Sequence, residues 1–302
     1  MINKHIETIR ILIFIGITFL FTYLFEILLI SPLTKFQSPY ISTVLSVVMF
    51  FPALAVIITR LITKEGFKNS YIKANFKGNI KLYLIAWFLP MVLTVIGAVI
   101  YFLIFPTTFD LSMADMINST KQLYNEMGME DLSTDEMIHM QLVIQIVISI
   151  FSPAINAFVC FGEEWGWRAY LLPKMQAKLP LIPMLLINGV VWGLWHAPLT
   201  VMGHNYGLDY FGYPFLGILA MCLFCIFIGA ILSYFTVCSK SVWPAALAHG
   251  SINGFSSVSL IFHKGSANPF IGPVPTGIIG GIAFVIAAVI VVCLWIHNTK
   301  KG

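Results

Sequence analysis

Long apolar runs alternate with short polar stretches along the whole chain. A helix that crosses a bilayer needs about 20 mostly apolar residues, and eight segments reach that length. They cover approximately residues 9–30, 40–62, 81–105, 140–172, 181–202, 212–237, 242–262 and 275–297. Proline-rich breaks separate them. The pattern predicts an all-α, polytopic membrane protein with about eight transmembrane helices.

The fourth segment is longer than one crossing requires, and Ser152-Pro153 lies inside it. Proline lacks the backbone N–H and clashes with the preceding turn, so it kinks or breaks a helix. We therefore predict a kink at Ser152-Pro153 and place the main crossing at about 150–172.

Composition supports a membrane protein, since 59% of the residues are hydrophobic and only 10% are charged. Soluble domains carry about 25% charged residues. The odd number of cysteines argues against a disulfide framework. We expect the lipid bilayer to be the main surroundings, and we expect no nucleic-acid partner.

Lysine and arginine fall almost entirely on one side of this topology. Of the 17 such residues, only Lys35, Lys121 and Lys264 lie in connections on the opposite side. Basic residues in short loops mark the cytoplasmic side. The bias predicts a multi-pass protein of the cell membrane with both termini cytoplasmic.

The same topology divides a single integral membrane domain into two parts. Residues 1–137 hold three transmembrane helices and an acidic outer loop, and residues 138–302 hold a core of five. Acidic residues of this loop are Asp110, Asp115, Glu126, Glu130, Asp131, Asp135 and Glu136.

Charged residues interrupt the fourth segment at Glu163, Glu164 and Arg168. Each charged side chain at the middle of a spanning helix costs roughly 2.5–3.5 kcal/mol, so these groups must face the protein interior. Residues four apart share a helix face, which makes Glu164 and Arg168 neighbours. Glu163 is turned by ~100° from Glu164 and is free for another task.

Two further polar motifs lie at the same predicted depth. Trp192-x-x-x-His196 lies in the fifth segment and His249-x-x-x-Asn253 in the seventh. Both histidines fall within ~5 Å of the middle of their segments at 1.5 Å per residue. We expect these side chains to meet Glu163 inside the bilayer.

Two kinds of chemistry fit this set of side chains. A desolvated carboxylate with an imidazole partner can activate water, and imidazole and amide groups can donate to an oxyanion. Alternatively, Glu163, His196 and His249 could hold a zinc ion with one open position. Both lead to hydrolysis of a carbonyl compound inside the membrane, with no cofactor or with zinc.

Other polar residues suggest simpler roles. We expect Glu26, near the outer end of the first helix, to reach the interface or to pair. His204, Asn205 and Asp209 are expected in an exposed polar outer loop, with a gate or a metal site as the alternative.

The chain carries three polar motifs in the order Glu-Glu-x-x-x-Arg, aromatic-x-x-x-His and His-x-x-x-Asn. Together they resemble the motifs of the CPBP family. This is the CAAX-protease and bacteriocin-processing group of intramembrane endopeptidases, also called the Abi family. The resemblance covers about residues 140–260. Trp192 is a departure, because the family usually has phenylalanine there.

The resemblance implies an α-helical catalytic core in residues 138–302, with a cavity open to the membrane or the cytoplasm. It implies that Glu163 activates water together with His196, and that His249 and Asn253 stabilise the oxyanion. It also implies that Glu164 and Arg168 form the pair that supports these catalytic residues.

The first functional hypothesis is therefore a CAAX-type intramembrane endopeptidase, glutamate-type or metal-dependent. Its substrate would be a peptide, a leader sequence or the terminus of a membrane protein. One alternative is a non-catalytic immunity or regulatory protein that binds a peptide or partner through the same cavity. Another is a small transporter, which the lack of an internal repeat disfavours.

Overall fold

The computed structural model of the protein describes residues 4–35, 40–129, 131 and 134–299. Within these ranges the chain is helical, and the only β-type pairing is an isolated antiparallel bridge between Phe109 and His263. Glu130 of the acidic loop and the terminal residues 1–3 and 300–302, predicted to be cytoplasmic, lie outside the described residues.

Fourteen α-helices are assigned in the described residues. The first seven are α1 Lys4–Phe25, α2 Ser31–Lys35, α3 Ile41–Val48, α4 Phe51–Ile62, α5 Ile80–Ile104, α6 Ala114–Glu126 and α7 Asp135–Phe151. The others are α8 Pro153–Gly166, α9 Leu172–Gln176, α10 Leu181–Trp195, α11 Ala197–Val201, α12 Phe215–Ser239, α13 Trp243–Phe255 and α14 Ile282–Thr299. Two π-helical segments, Glu26–Ile30 and Trp167–Leu171, continue α1 and α8.

The polytopic, all-helical class is confirmed. Four helical stretches are long and apolar enough to cross a membrane, namely His5–Leu33, Thr43–Ile62, Ile80–Ile104 and Phe215–Ser239. The bent pair of α7 with α8–α9 would be a fifth span. Each of the eight predicted segments contains a helix, but α10 and α14 are shorter apolar helices. The count of eight spans therefore stays a prediction.

The predicted kink is present at Ser152-Pro153. Helix α7 and the stretch Pro153–Gln176 are bent by 54° at this break. Pro153 occupies the first turn of α8, where its missing N–H has no intrahelical partner to lose. The bend gives α8 a direction of its own, and α8 carries Glu163.

The eighth predicted segment begins too early. Helix α14 starts at Ile282, and residues 275–281 form turns. Prolines at 273 and 275 and glycines at 277, 280 and 281 disfavour a regular helix in this stretch.

Glycine contacts bring the site-bearing helices close together. A Cβ atom on Gly250 would lie 2.9 Å from the backbone N of Ala157, where α13 packs on α8. A Cβ atom on Gly193 would lie 2.4 Å from Cα of Cys222, where α10 packs on α12. Small residues permit such close helix packing within a membrane.

Candidate active site

Glu163 lies on α8 and is 2% exposed. Its Oε2 atom accepts a hydrogen bond of 2.9 Å from the indole Nε1 of Trp192 on α10. The sequence pattern identified Trp192 only as an aromatic residue preceding His196. The indole N–H is therefore a functional group that the sequence reasoning missed.

Glu164 joins two of the motifs. Its Oε1 atom lies 2.8 Å from Nδ1 of His249, and its Oε2 atom lies 3.3 Å from Nε of Arg168. The contact with Arg168 is an ion pair without hydrogen-bond geometry, because neither of its two atoms has a hydrogen-bond partner among the described residues. The expected proximity of Glu164 and Arg168 is present, whereas the bond to His249 was not foreseen.

Arg168 is fully buried and is held from two other directions. Its guanidinium carbon lies 4.1 Å from the centroid of the Trp192 ring, a cation–π arrangement. Its Nη1 atom donates to Oδ1 of Asn188 at 3.4 Å. A buried arginine with a carboxylate, an amide and an aromatic ring around it acts as a fixed positive charge beneath the site.

His196 ends α10, and its Nδ1 lies 3.0 Å from the carbonyl oxygen of Trp192 one turn earlier. A carbonyl can only accept, so we assign the proton of the neutral ring to Nδ1. This leaves Nε2 as an acceptor. The ring packs edge-on against Trp195, with 4.8 Å between centroids, which fixes its direction.

Asn253 lies one turn beyond His249 on α13. Its Nδ2 atom donates to Sγ of Cys160 at 3.6 Å, and Cys160 is one turn before Glu163 on α8. Sulfur is a weak acceptor, so this amide can exchange its partner at low cost.

One cavity of about 650 Å³ has Glu163, Trp192, His196, His249 and Asn253 in its wall, whereas Glu164 and Arg168 lie behind them and do not line it. Five elements contribute to it: α3, α8, the α10–α11 corner, α12 and α13. Its polar lining includes Glu163, Trp192, His196, His204, Asn205, His249, Asn253, Ser256 and Ser257. Glu163, His196, His249 and Asn253, predicted to meet, thus line one space.

The outer loop after α11 does not behave as a simple exposed loop. His204 and Asn205 are exposed, as expected, but they also line this cavity. Backbone N–H of His204 donates to the carbonyl of Leu199, which turns the loop back over the end of α11. The pattern of a single sequence gives no signal that this loop folds back over the end of α11.

Glu26 also departs from expectation. It is fully buried, and neither carboxyl oxygen has a hydrogen-bond partner among the described residues. Thr22 and Tyr23, one turn earlier, bond to Trp195 Nε1 and to the Leu194 carbonyl beside His196, at 2.7 and 2.6 Å. These bonds hold the first helix against the site and prevent Glu26 from reaching the interface.

The arrangement of the donor side chains does not fit the alternative zinc site. Within the described part of the chain, no three His, Cys, Asp or Glu side chains are grouped so that they could hold a metal ion. Glu163, His196 and His249 line the same cavity without forming such a group. We therefore propose a mechanism without a metal ion.

Comparison with known proteins identifies the segment that carries this site. Residues 142–255 match the family model described as Type II CAAX prenyl endopeptidase Rce1-like. The chain is also similar to CAAX prenyl protease 2 of Methanococcus maripaludis, at 30% identity over 99 residues. That alignment covers 30% of this chain and 34% of the relative, so the chain spans about a third of the length of the curated protein it matches.

The apolar helices and the buried polar site define a polytopic membrane protein with a site between its helices. The match of residues 142–255 to a CAAX endopeptidase family model agrees with the resemblance seen in the three motifs.

Proposed function

We propose that the protein is an intramembrane endopeptidase that hydrolyses a peptide bond with water activated by Glu163. One observation carries this proposal: a carboxylate, two imidazoles and a carboxamide from three helices line one cavity between the helices. The family match of residues 142–255 supports a protease. The substrate would be a peptide, a leader or the terminus of a membrane protein.

Glu163 is the proposed general base. The bond from Trp192 holds its Oε2 atom, so that the carboxylate has a defined orientation at the cavity wall. A water molecule between Glu163 and Nε2 of His196 would give a proton to the carboxylate while its oxygen attacks the carbonyl carbon. Positioned base catalysis of this kind contributes about 10²–10⁴-fold to a rate.

His249 and Asn253 are the proposed oxyanion donors. With Nδ1–H directed to Glu164, the His249 ring can carry a second proton on Nε2, and the Glu164 carboxylate compensates its charge. Nε2–H and the Asn253 amide would then donate to the oxygen that becomes negative. Loss of one oxyanion donor costs about 10²–10³-fold in rate.

The intermediate collapses when the C–N bond breaks. The electron pair of the broken bond goes to nitrogen, and the proton held by Glu163 completes the leaving amine. Glu163 returns to its carboxylate form, and the other product keeps the oxygen of water in its new carboxyl group. No oxidant, cofactor or metal is needed for this balance.

Comparison of membrane peptides from cells expressing wild type and Glu163→Gln tests the proposal. The variant keeps the shape of the side chain and the Trp192 contact but cannot take up a proton. We expect specific peptide products only with wild type. Equal product sets, with both proteins inserted in equal amounts, would favour the non-catalytic alternative, in which the cavity only binds a peptide or partner.

Activity measured after chelation, together with elemental analysis of protein purified without chelator, tests the proposed independence from zinc. We expect unchanged cleavage and less than one zinc per chain. Activity lost with a chelator and restored by zinc would overturn the glutamate mechanism in favour of the metal-dependent one.

A further inference from the structure

The catalytic cavity extends to only one side of the level of Glu163. Helices α10 and α13 line it with their C-terminal parts, and α12 lines it with its N-terminal half. These three segments are the ones nearest to the connections at 202–214 and 256–281. The cavity therefore leads from the site towards the face that these two connections form.

The mouth of the cavity consists of His204, Asn205, Ser257 and Thr276. The first three are exposed and all four line the cavity. The two connections are held together by aromatic packing of Phe270, whose ring centroid lies 4.8 Å from that of Tyr206 and 4.7 Å from that of Tyr210. The mouth is thus an ordered opening between two packed connections, rich in neutral hydrogen-bonding groups.

The opposite side of the site is filled. Trp167 is fully buried one turn beyond Glu163. Further along the same stretch, Nζ of Lys174 bonds to Glu7 at 2.9 Å and to Glu65 at 2.6 Å, and the Tyr170 hydroxyl donates to Glu65 at 3.1 Å. These groups tie α1, α9 and the end of α4 together across the face that carries most of the lysines and arginines.

We propose that substrates reach Glu163 from the extracytoplasmic side, through the mouth at His204, Asn205, Ser257 and Thr276. This inference rests on the proposed function and combines the direction of the cavity with the placement of basic residues on the other face, which marks that face as cytoplasmic. The substrate class is then a peptide or membrane-protein segment that protrudes from the outer face of the membrane. A cytoplasmic protein terminus would meet the filled side.

The depth of the site sets the length of substrate required. About eight residues of helical chain separate His249 from Ser257, or ~12 Å at 1.5 Å per residue. An extended peptide covers that distance in about four residues at ~3.3 Å each. We therefore expect the cleaved bond to lie about four residues along an unfolded substrate segment from the residue that lies at the mouth.

Cysteine labelling in intact cells tests this proposal, in a background in which the exposed Cys238 and Cys293 are replaced by serine and the other three cysteines, Cys160, Cys222 and Cys225, are buried. Unlabelled background protein corrects for any reaction of these three. Asn205→Cys and Ser257→Cys place a thiol at the mouth. Asp209→Cys is the matched control, because Asp209 is exposed in the same loop as Asn205 but does not line the cavity. The probe is a membrane-impermeant maleimide attached to polyethylene glycol, and Lys77→Cys marks the opposite face.

We expect all three outer thiols to react in intact cells and the thiol at position 77 to react only after permeabilisation. Labelling should lower Glu163-dependent peptide products by at least tenfold for both mouth variants, relative to the same variant unlabelled, and by less than twofold for Asp209→Cys. Reversed labelling, or labelled mouth variants that cleave as before, would overturn the proposed route while leaving the protease activity in place. If cells expressing the wild-type protein form no Glu163-dependent products, the proposed function itself is wrong.

Discussion

The indole of Trp192 and the carboxylate of Glu163 are joined across two helices by a hydrogen bond of 2.9 Å. The same tryptophan accepts from His196 through its backbone carbonyl and covers the Arg168 guanidinium with its ring. Trp192 therefore contacts three groups of the proposed machinery at once, although its own side chain carries no reactive group.

Trp192→Phe removes the donor and keeps an aromatic ring. A neutral hydrogen bond is worth about 1 kcal/mol net, and rather more when it involves a charged group, which corresponds to roughly a tenfold loss of rate. We expect kcat to fall about tenfold while KM and insertion remain unchanged, because phenylalanine still places an aromatic ring at this position. An unchanged kcat would mean that the indole N–H does not orient Glu163.

Glu164→Gln separates support from catalysis. Arg168 would keep a buried charge without its carboxylate partner, and breaking a buried pair costs about 3–5 kcal/mol. We expect a lower thermal unfolding temperature in detergent and loss of cleavage, whereas Glu163→Gln should lose cleavage with little change in unfolding temperature. Equal stability of the two variants would contradict the assignment of Glu164 as the structural partner of Arg168 and His249.

Gly193→Ala tests the packing that positions His196. The added Cβ would lie 2.4 Å from the backbone of Cys222, so α10 and α12 must separate. We expect cleavage to fall by at least tenfold, because His196 follows Gly193 by one turn and its ring would move with the helix. Gly16→Ala is the matched control, since a Cβ on Gly16 meets nothing within 4 Å. Similar activity of both variants would show that close packing at Gly193 is dispensable.

Glu26→Met tests the unpartnered carboxyl beside the site. A buried polar group without a hydrogen bond costs about 1–3 kcal/mol, and a methionine of similar length removes that cost. We expect a higher unfolding temperature and unchanged cleavage. A lower unfolding temperature or a loss of cleavage would indicate that the Glu26 carboxyl has a partner or task of its own.

The sequence sufficed for the class of fold and for the grouping of the site. Apolar runs of spanning length predicted helices in every segment, and Ser152-Pro153 predicted the bend, because proline acts through local backbone chemistry. The four-residue spacing predicted that Glu164 lies beside Arg168, and the equal depth of the motifs predicted that Glu163 and His249 line one site. These inferences need only helix geometry.

Contacts between helices were beyond the sequence pattern. The bond between Glu164 and His249 depends on how closely α13 packs on α8 at Gly250, and the Trp192–Glu163 bond depends on the rotation of α10. The burial of Glu26 follows from the bonds of Thr22 and Tyr23 to α10. Each depends on tertiary packing, which leaves no period or spacing in a single sequence.

For a related reason, the sequence offered a gate at the residues of the cavity mouth only as an alternative to an exposed loop. His204 and Asn205 have the composition of an ordinary loop, and loop composition does not show the direction in which a loop folds. The start of α14 at Ile282 was missed because apolar residues near 275–281 resemble a helix, while the glycines among them form turns.

The most direct measurement of the central claim is the rate at which purified protein cleaves a Glu163-dependent substrate, compared among Glu163→Gln, His249→Ala and the double variant. Groups that act as one unit give losses that do not add. We expect each single variant to lose at least about 10³-fold and the double variant to lose no more than the worse single one. Single variants that cleave within tenfold of wild type, or a double variant whose loss is the product of the two, would contradict a joint catalytic site in this cavity.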